Sequence, residues 1–158
     1  VIFPNGARYQ GEWKAGFCHG KGSLEWPDGT EYIGDFCNGK IEGEGTYHFP
    51  NQVEYSGQVQ EGMRHGVGTL TIFYPAYSRY EGWWRHGKRH GKGRMVLDEL
   101  SESWFEGNWE DDRRNGEGTM VYQNGDIYKG EWKADSRHGR GQMRWVALHQ
   151  IYEGSWKA

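Results

Sequence analysis

The chain of 158 residues carries 26 Gly, 9 Trp and 10 Tyr, while Leu, Ile, Val and Phe together number only 24. Four prolines without a Gly-x-y period exclude a collagen helix, and a formal net charge of −3 argues against a dedicated nucleic-acid binder, for which a basic excess is expected. The longest apolar run, Leu70 to Tyr74 with Thr71 included, is far short of a transmembrane span, no segment has the pattern of a signal peptide, and two cysteines make no disulfide framework.

In chain order, Val1 to Arg8 reads as the end of a unit, with Pro4-Asn5-Gly6 as its turn. A complete unit opens at Tyr9. Tyr9, Gly11 and Trp13 share one face of a strand, and Gln10, Glu12 and Lys14 share the other. Gly16 marks a tight turn, Gly22, Leu24 and Trp26 share one face of a returning strand, and Pro27-Asp28-Gly29 closes the unit. The opening motif recurs at Tyr32-Ile-Gly-Asp-Phe36, Tyr55-Ser-Gly-Gln-Val59, Tyr80-Glu-Gly-Trp-Trp84, Phe105-Glu-Gly-Asn-Trp109, Tyr128-Lys-Gly-Glu-Trp132 and Tyr152-Glu-Gly-Ser-Trp156, at spacings of 23, 23, 25, 25, 23 and 24 residues.

Eleven residues after each of the first six aromatics stands a Gly-x-Gly, from Gly20 and Gly22 to Gly139 and Gly141. The turn position occupied by Gly16, Gly39, Gly62 and Gly87 is taken by Asp112 and Asp135 in later units, which predicts a backbone with positive φ. Two insertions, Tyr74 to Arg79 and Asp98 to Ser103, fall between units, where extra length disturbs least. Each unit therefore predicts two strands, and recurrent Gly excludes helices. Glycine between aromatics on one face lets the rings lie over the backbone and stack on those of the next unit, in a twisted ribbon on the order of 55 to 60 Å long.

The unit Y-x-G-x-W-x-x-G-x-x-H-G-x-G, complete in Tyr9 through Gly22, closely resembles the MORN (membrane occupation and recognition nexus) repeat, and the likeness covers almost the whole chain. The resemblance implies an all-β fold, an elongated single-layer antiparallel sheet of successive hairpins. Units start at residues 9, 32, 55, 80, 105 and 128, with partial units 1–8 and 152–158, so residues 1–158 are expected to be one array cut from a longer one. The irregular parts carry a narrower likeness. The stretches Asn38 to Arg64 and His86 to Gly93, the two insertions, and Arg137 to Trp145 resemble the MORN proteins of the radial spoke head in cilia and flagella.

No catalytic group stands apart from the repeat. His19, His65, His90 and His138 each precede a motif Gly, which points to a structural role in the loop; His48, His86 and His149 have no ligand partner at convincing spacing. Cys18 and Cys37 lack the further ligands of a zinc site, Gly87 to Gly93 lacks the Ser or Thr and the helix of a phosphate loop, and Asp111-Asp112 falls in a loop. A non-enzymatic chain without cofactor or metal is the expectation.

Binding surfaces remain. Tyr9, Trp13, Tyr32, Phe36, Tyr55, Tyr80, Trp84, Phe105, Trp109, Tyr128 and Trp132 are expected to line an aromatic face partly open to a protein partner, since a single layer leaves that face uncovered. Arg85, Lys88, Arg89, Lys92 and Arg94 form a basic cluster beside the acidic run Asp98 to Asp112; they serve either as mutual compensation at the surface or as a patch for an acidic partner or anionic lipid. Exposed edge strands invite pairing with another chain or a second copy.

The likeness implies a scaffold that binds other proteins, in the cytoplasm and cytoskeleton and specifically in the ciliary or flagellar axoneme. Its alternatives are a membrane-associated adaptor, or an accessory region of a larger enzyme, since such arrays also occur beside methyltransferase and lipid-kinase domains.

Overall fold

Polar and aromatic residues alternate about a recurring glycine, and tight turns interrupt them at fixed offsets, so the chain folds back on itself every seven to ten residues. In the computed structural model, which describes residues 1–157, this produces one open antiparallel sheet of 13 strands whose spatial order is their order in the chain. The strands are β1 (Arg8–Lys14), β2 (Phe17–Glu25), β3 (Glu31–Cys37), β4 (Lys40–Phe49), β5 (Val53–Gln60), β6 (Met63–Ile72), β7 (Ser78–Arg85), β8 (Lys88–Val96), β9 (Trp104–Glu110), β10 (Arg113–Val121), β11 (Ile127–Lys133), β12 (Ser136–Trp145) and β13 (Gln150–Trp156). The second insertion lies between β8 and β9, while the first opens between β6 and β7 and its last two residues, Ser78 and Arg79, begin β7. No helix among the described residues is long and apolar enough to cross a membrane.

The cross-strand register sorts the residues into continuous columns. Every strand contributes one glycine to the first, from Gly11 opposite Gly22 through Gly82 opposite Gly93 to Gly141 opposite Gly154. A second runs parallel on the inward face, Tyr9 opposite Leu24, Tyr80 opposite Met95, Phe105 opposite Met120, Tyr128 opposite Met143. Each Tyr ring lies across the glycine pair beside it. A Cβ on Gly82 would sit 2.8 Å from the Tyr80 Oη and 2.5 Å from the Gly93 Cα, so no larger residue fits. Each tyrosyl hydroxyl then donates to a carbonyl three residues on, as Tyr80 does to Trp83 O at 2.9 Å and Tyr128 to Glu131 O at 2.9 Å.

Within each hairpin the register slips after the glycine pair. Gly11 faces Gly22 but Trp13 faces Cys18, so the returning strand carries extra residues and bulges, whereas the pairing between hairpins is regular. A bulge bends its strand and strengthens the local twist. Repeated in every hairpin, it curls a single layer enough to enclose its own aromatic side chains. The turn position has positive φ throughout: +76° at Gly87, +69° at Asp112 and +71° at Asp135.

Candidate protein-binding surfaces

The aromatic residues expected to face a partner form the core instead. Tyr9, Tyr32, Phe36, Tyr55, Tyr80, Trp84, Phe105, Trp109, Tyr128 and Trp132 are all buried, and only Trp13, 44% exposed at the first hairpin, keeps substantial open area. The reason is interleaving. The Tyr80 ring meets Trp84 of its own unit at 5.0 Å and Trp109 of the next at 5.4 Å; Phe105 meets Trp109 at 5.3 Å and Trp132 at 5.2 Å. All four contacts are edge-to-face, with interplanar angles of 82–89°, so the rings do not stack at the spacing of whole units. The buried indoles also have their N–H groups occupied, Trp84 donating to Gly68 O at 3.0 Å, Trp109 to Gly93 O at 3.1 Å and Trp132 to Gly118 O at 3.2 Å.

Val59 interrupts the ladder, and there Tyr47 turns in from β4, 4.8 Å from Tyr32, its hydroxyl donating to Gly62 O at 2.9 Å. Burial pushes the phenols of Tyr47 and Tyr55 up to about 12, and those of Tyr32 and Tyr80 higher still.

The basic cluster is likewise largely committed. Arg89 lies over the Trp109 ring at 4.5 Å, and its Nε and backbone N–H both donate to Asp112 Oδ1, at 3.1 and 2.9 Å. Arg94 covers Trp104 at 4.5 Å and reaches Glu106 at 3.5 Å. Of the five cations expected to act together, Arg85, Lys88 and Lys92 have no carboxylate partner among the described residues, and Lys92 stands apart from the β7–β8 turn that carries the other two. Compensation by the neighbouring acidic run therefore accounts for Arg89 and Arg94.

Two of the histidines before the motif glycines sit by the following turn: the Asn38 N–H donates to His19 Nδ1 at 3.4 Å, and the His65 ring lies 6.5 Å from that of His86. Cys18 is buried and Cys37 exposed, and no cluster of His, Cys, Asp or Glu among the described residues is arranged to hold a metal.

What the sequence reading missed is the fourth motif residue, between Gly and Trp. The bulge leaves a strand N–H without a backbone partner, and this side chain meets it. Lys21 N–H donates to Glu12 Oε1 at 3.1 Å, Glu44 N–H to Asp35 Oδ2 at 2.9 Å, Val67 N–H to Gln58 Oε1 at 2.8 Å, and Arg140 N–H to Glu131 Oε2 at 2.5 Å. In the fourth unit the position holds Trp83, which has no acceptor to offer and stands 53% exposed on the outward face. The signal in the sequence was the acidic or amide residue at this place in most units.

Trp83 lines an outward groove of about 610 Å³ that crosses β7 to β11 over the glycine column, with Lys92, Glu106, Asn108, Thr119 and Lys129. A second groove of about 810 Å³ crosses β1 to β5, lined by small and polar residues including Ser23, Thr46 and Ser56.

The MORN repeat model matches residues 9–31, 32–53, 55–72, 80–98, 105–127 and 128–147, each match beginning on the aromatic that opens a unit. The chain belongs to the MORN-repeat family. A search of the curated proteins finds no match to it.

Proposed function

We propose that this MORN array is a non-catalytic scaffold that binds another protein along its outward face, with Trp83 as the anchor, in the radial spoke head of the ciliary or flagellar axoneme. The observation that carries the binding reading is Trp83 itself. A position that caps the backbone in four other units is given to a half-exposed indole in a groove, and Trp is among the residues that dominate interface energetics. Support for the spoke head is the likeness of the two insertions and their flanking units to the MORN proteins of that assembly.

What supports the non-catalytic reading is the use of the side chains. The rings form the ladder, the arginines clamp it, and the acids cap bulges and turns. The axonemal cytoskeleton is the corresponding location.

The test is capture from axonemal extract on the immobilised protein, comparing it with Trp83→Ala and with circular dichroism confirming the fold of both. Spoke-head proteins held by the parent and lost with the variant support the reading; their absence from the parent, or equal capture by the variant, overturns it.

A further inference from the structure

The arginine clamp repeats along the inward face, and one copy with a described turn after it lacks its carboxylate; the last copy, Arg137 over Trp156 at 4.6 Å, has no following turn among the described residues. In two successive units an arginine lies over the indole of the next unit while the following turn supplies an aspartate. Arg89 covers Trp109 and binds Asp112; Arg114 covers Trp132 at 4.5 Å, with its Nε and backbone N–H donating to Asp135 Oδ1 at 3.1 and 2.9 Å. One unit earlier, Arg64 covers Trp84 at 4.7 Å and its Nη2 donates to Gly87 O at 3.0 Å, matching the Nη2 contacts to Asp112 O and Asp135 O. The turn N–H of Gly87 also donates to Arg64 O at 3.0 Å, like Asp112 to Arg89 O. Only the carboxylate is missing.

Earlier still, the arginine position holds Cys18 and Ile41, opposite Gly39 and Gly62, so no charge there asks for a partner. Arg64 is the one arginine set against a glycine. It makes no ion pair with any described residue, and the carboxylate of nearby Glu61 is 3.3 Å from Lys40. The space is open: a Cβ built on Gly87 meets no atom within 4 Å. Beside it lies a mainly apolar pocket of about 380 Å³, lined by Tyr47, Phe49, Val53 and Met63 and closed by Arg64 and Gly87.

We infer that this gap in the clamp is a binding site for a carboxylate side chain of a partner protein, an Asp or Glu in an extended segment whose apolar neighbour enters the adjoining pocket. The inference rests on the reading of the chain as a protein-binding scaffold. The geometry of the complete clamps gives the chemistry. Two donors, an arginine Nε and its backbone N–H, converge on one carboxylate oxygen, and a half-buried guanidinium with no carboxylate bonded to it, Asp112 acting on it only through space, favours an anion more strongly than an exposed one does.

The probe is N-acetyl-Asp-Phe-amide, titrated into the 15N-labelled protein while the Arg64 Nε–H and Gly87 amide signals are followed by NMR. Saturable shifts at those two signals are expected, with affinity on the order of millimolar for so small a ligand. N-acetyl-Asn-Phe-amide binds about tenfold more weakly, because it keeps the shape and loses the charge. Gly87→Asp places a carboxylate in the gap at a backbone angle that Asp112 and Asp135 already adopt, so it moves the Arg64 Nε–H signal without ligand and blocks the dipeptide.

Equal binding of the Asp and Asn dipeptides, unchanged binding by Gly87→Asp, or no shift at Arg64 up to about 20 mM probe overturns the proposal. So does inorganic phosphate moving the same signals at lower concentration than the dipeptide. None of these outcomes bears on capture through Trp83, so failure here is distinguishable from failure of the scaffold reading.

Discussion

Replacing Trp109 by Ala tests whether the ladder is core or contact surface. The indole is 5% exposed, touches Phe105 and Tyr80 edge-on, lies under the Arg89 guanidinium and donates to Gly93 O. A buried Trp removes about 200 Å² from water, which at about 25 cal/mol per Å² is about 5 kcal/mol as an upper figure. Large-to-small series place Trp→Ala at about 3 to 5 kcal/mol, so a loss of about 4 kcal/mol is expected.

Trp83→Ala is the internal comparison, since its indole is half out in solvent and its loss should cost about 1 kcal/mol or less. Trp109→Phe isolates the indole N–H, at about 1 kcal/mol plus a small packing loss. The assay is urea unfolding followed by circular dichroism, with hydrogen exchange read strand by strand, because a linear array opens locally before it unfolds as a whole. Protection should vanish in β8 to β10 for Trp109→Ala and persist for Trp83→Ala. Equal shifts for the two variants, or native protection of β8 to β10 in Trp109→Ala, would refute the assignment of the ladder to the core.

Gly82→Ala should open the β7–β8 hairpin, because the added Cβ would lie 2.5 Å from Gly93 Cα and 2.6 Å from Lys92 O, backbone on both counts; a loss of at least about 3 kcal/mol is expected by chemical denaturation. Asp112→Gly keeps a residue suited to φ +69° and removes the carboxylate from Arg89, so it isolates the clamp. About 1 kcal/mol should be lost at low salt and less near 1 M NaCl, and a loss independent of salt would argue against an ion pair.

Alkaline pH should destabilise the sheet. The phenols of Tyr32, Tyr47, Tyr55 and Tyr80 titrate higher in the fold than in the unfolded chain, so their contribution is complete below about pH 10 and lost as pH rises toward 12 and beyond. The slope is up to about 1.4 kcal/mol per pH unit for each phenol, and a flat unfolding midpoint from pH 9.5 to 11.5 would contradict it. Anionic vesicles should bind the protein weakly, since Arg89 and Arg94 already face Asp112 and Glu106; strong co-sedimentation near 0.15 M salt would restore the lipid reading.

The sequence by itself determined the period, the hairpins and their order, the place of the insertions, and the positive φ of the turn shared by Gly87, Asp112 and Asp135. These are local matters: strand alternation, turn chemistry and the absence of a side chain at the glycine column act over a few residues and repeat with the motif. Tertiary structure alone decided which rings remain for a partner. The slip after each glycine pair curls the layer until the Tyr of one unit meets the Trp of the next, more than twenty residues on, and so the ladder closes over itself. The same curl brings Arg64 to Gly87 and Arg89 to Asp112. Strand alternation sends the adjacent Trp83 and Trp84 to opposite faces, a local matter legible in the motif, but the depth of Trp84's burial is settled by the neighbouring hairpin, whose Tyr55 ring, Arg64 guanidinium and Gly68 carbonyl close over it.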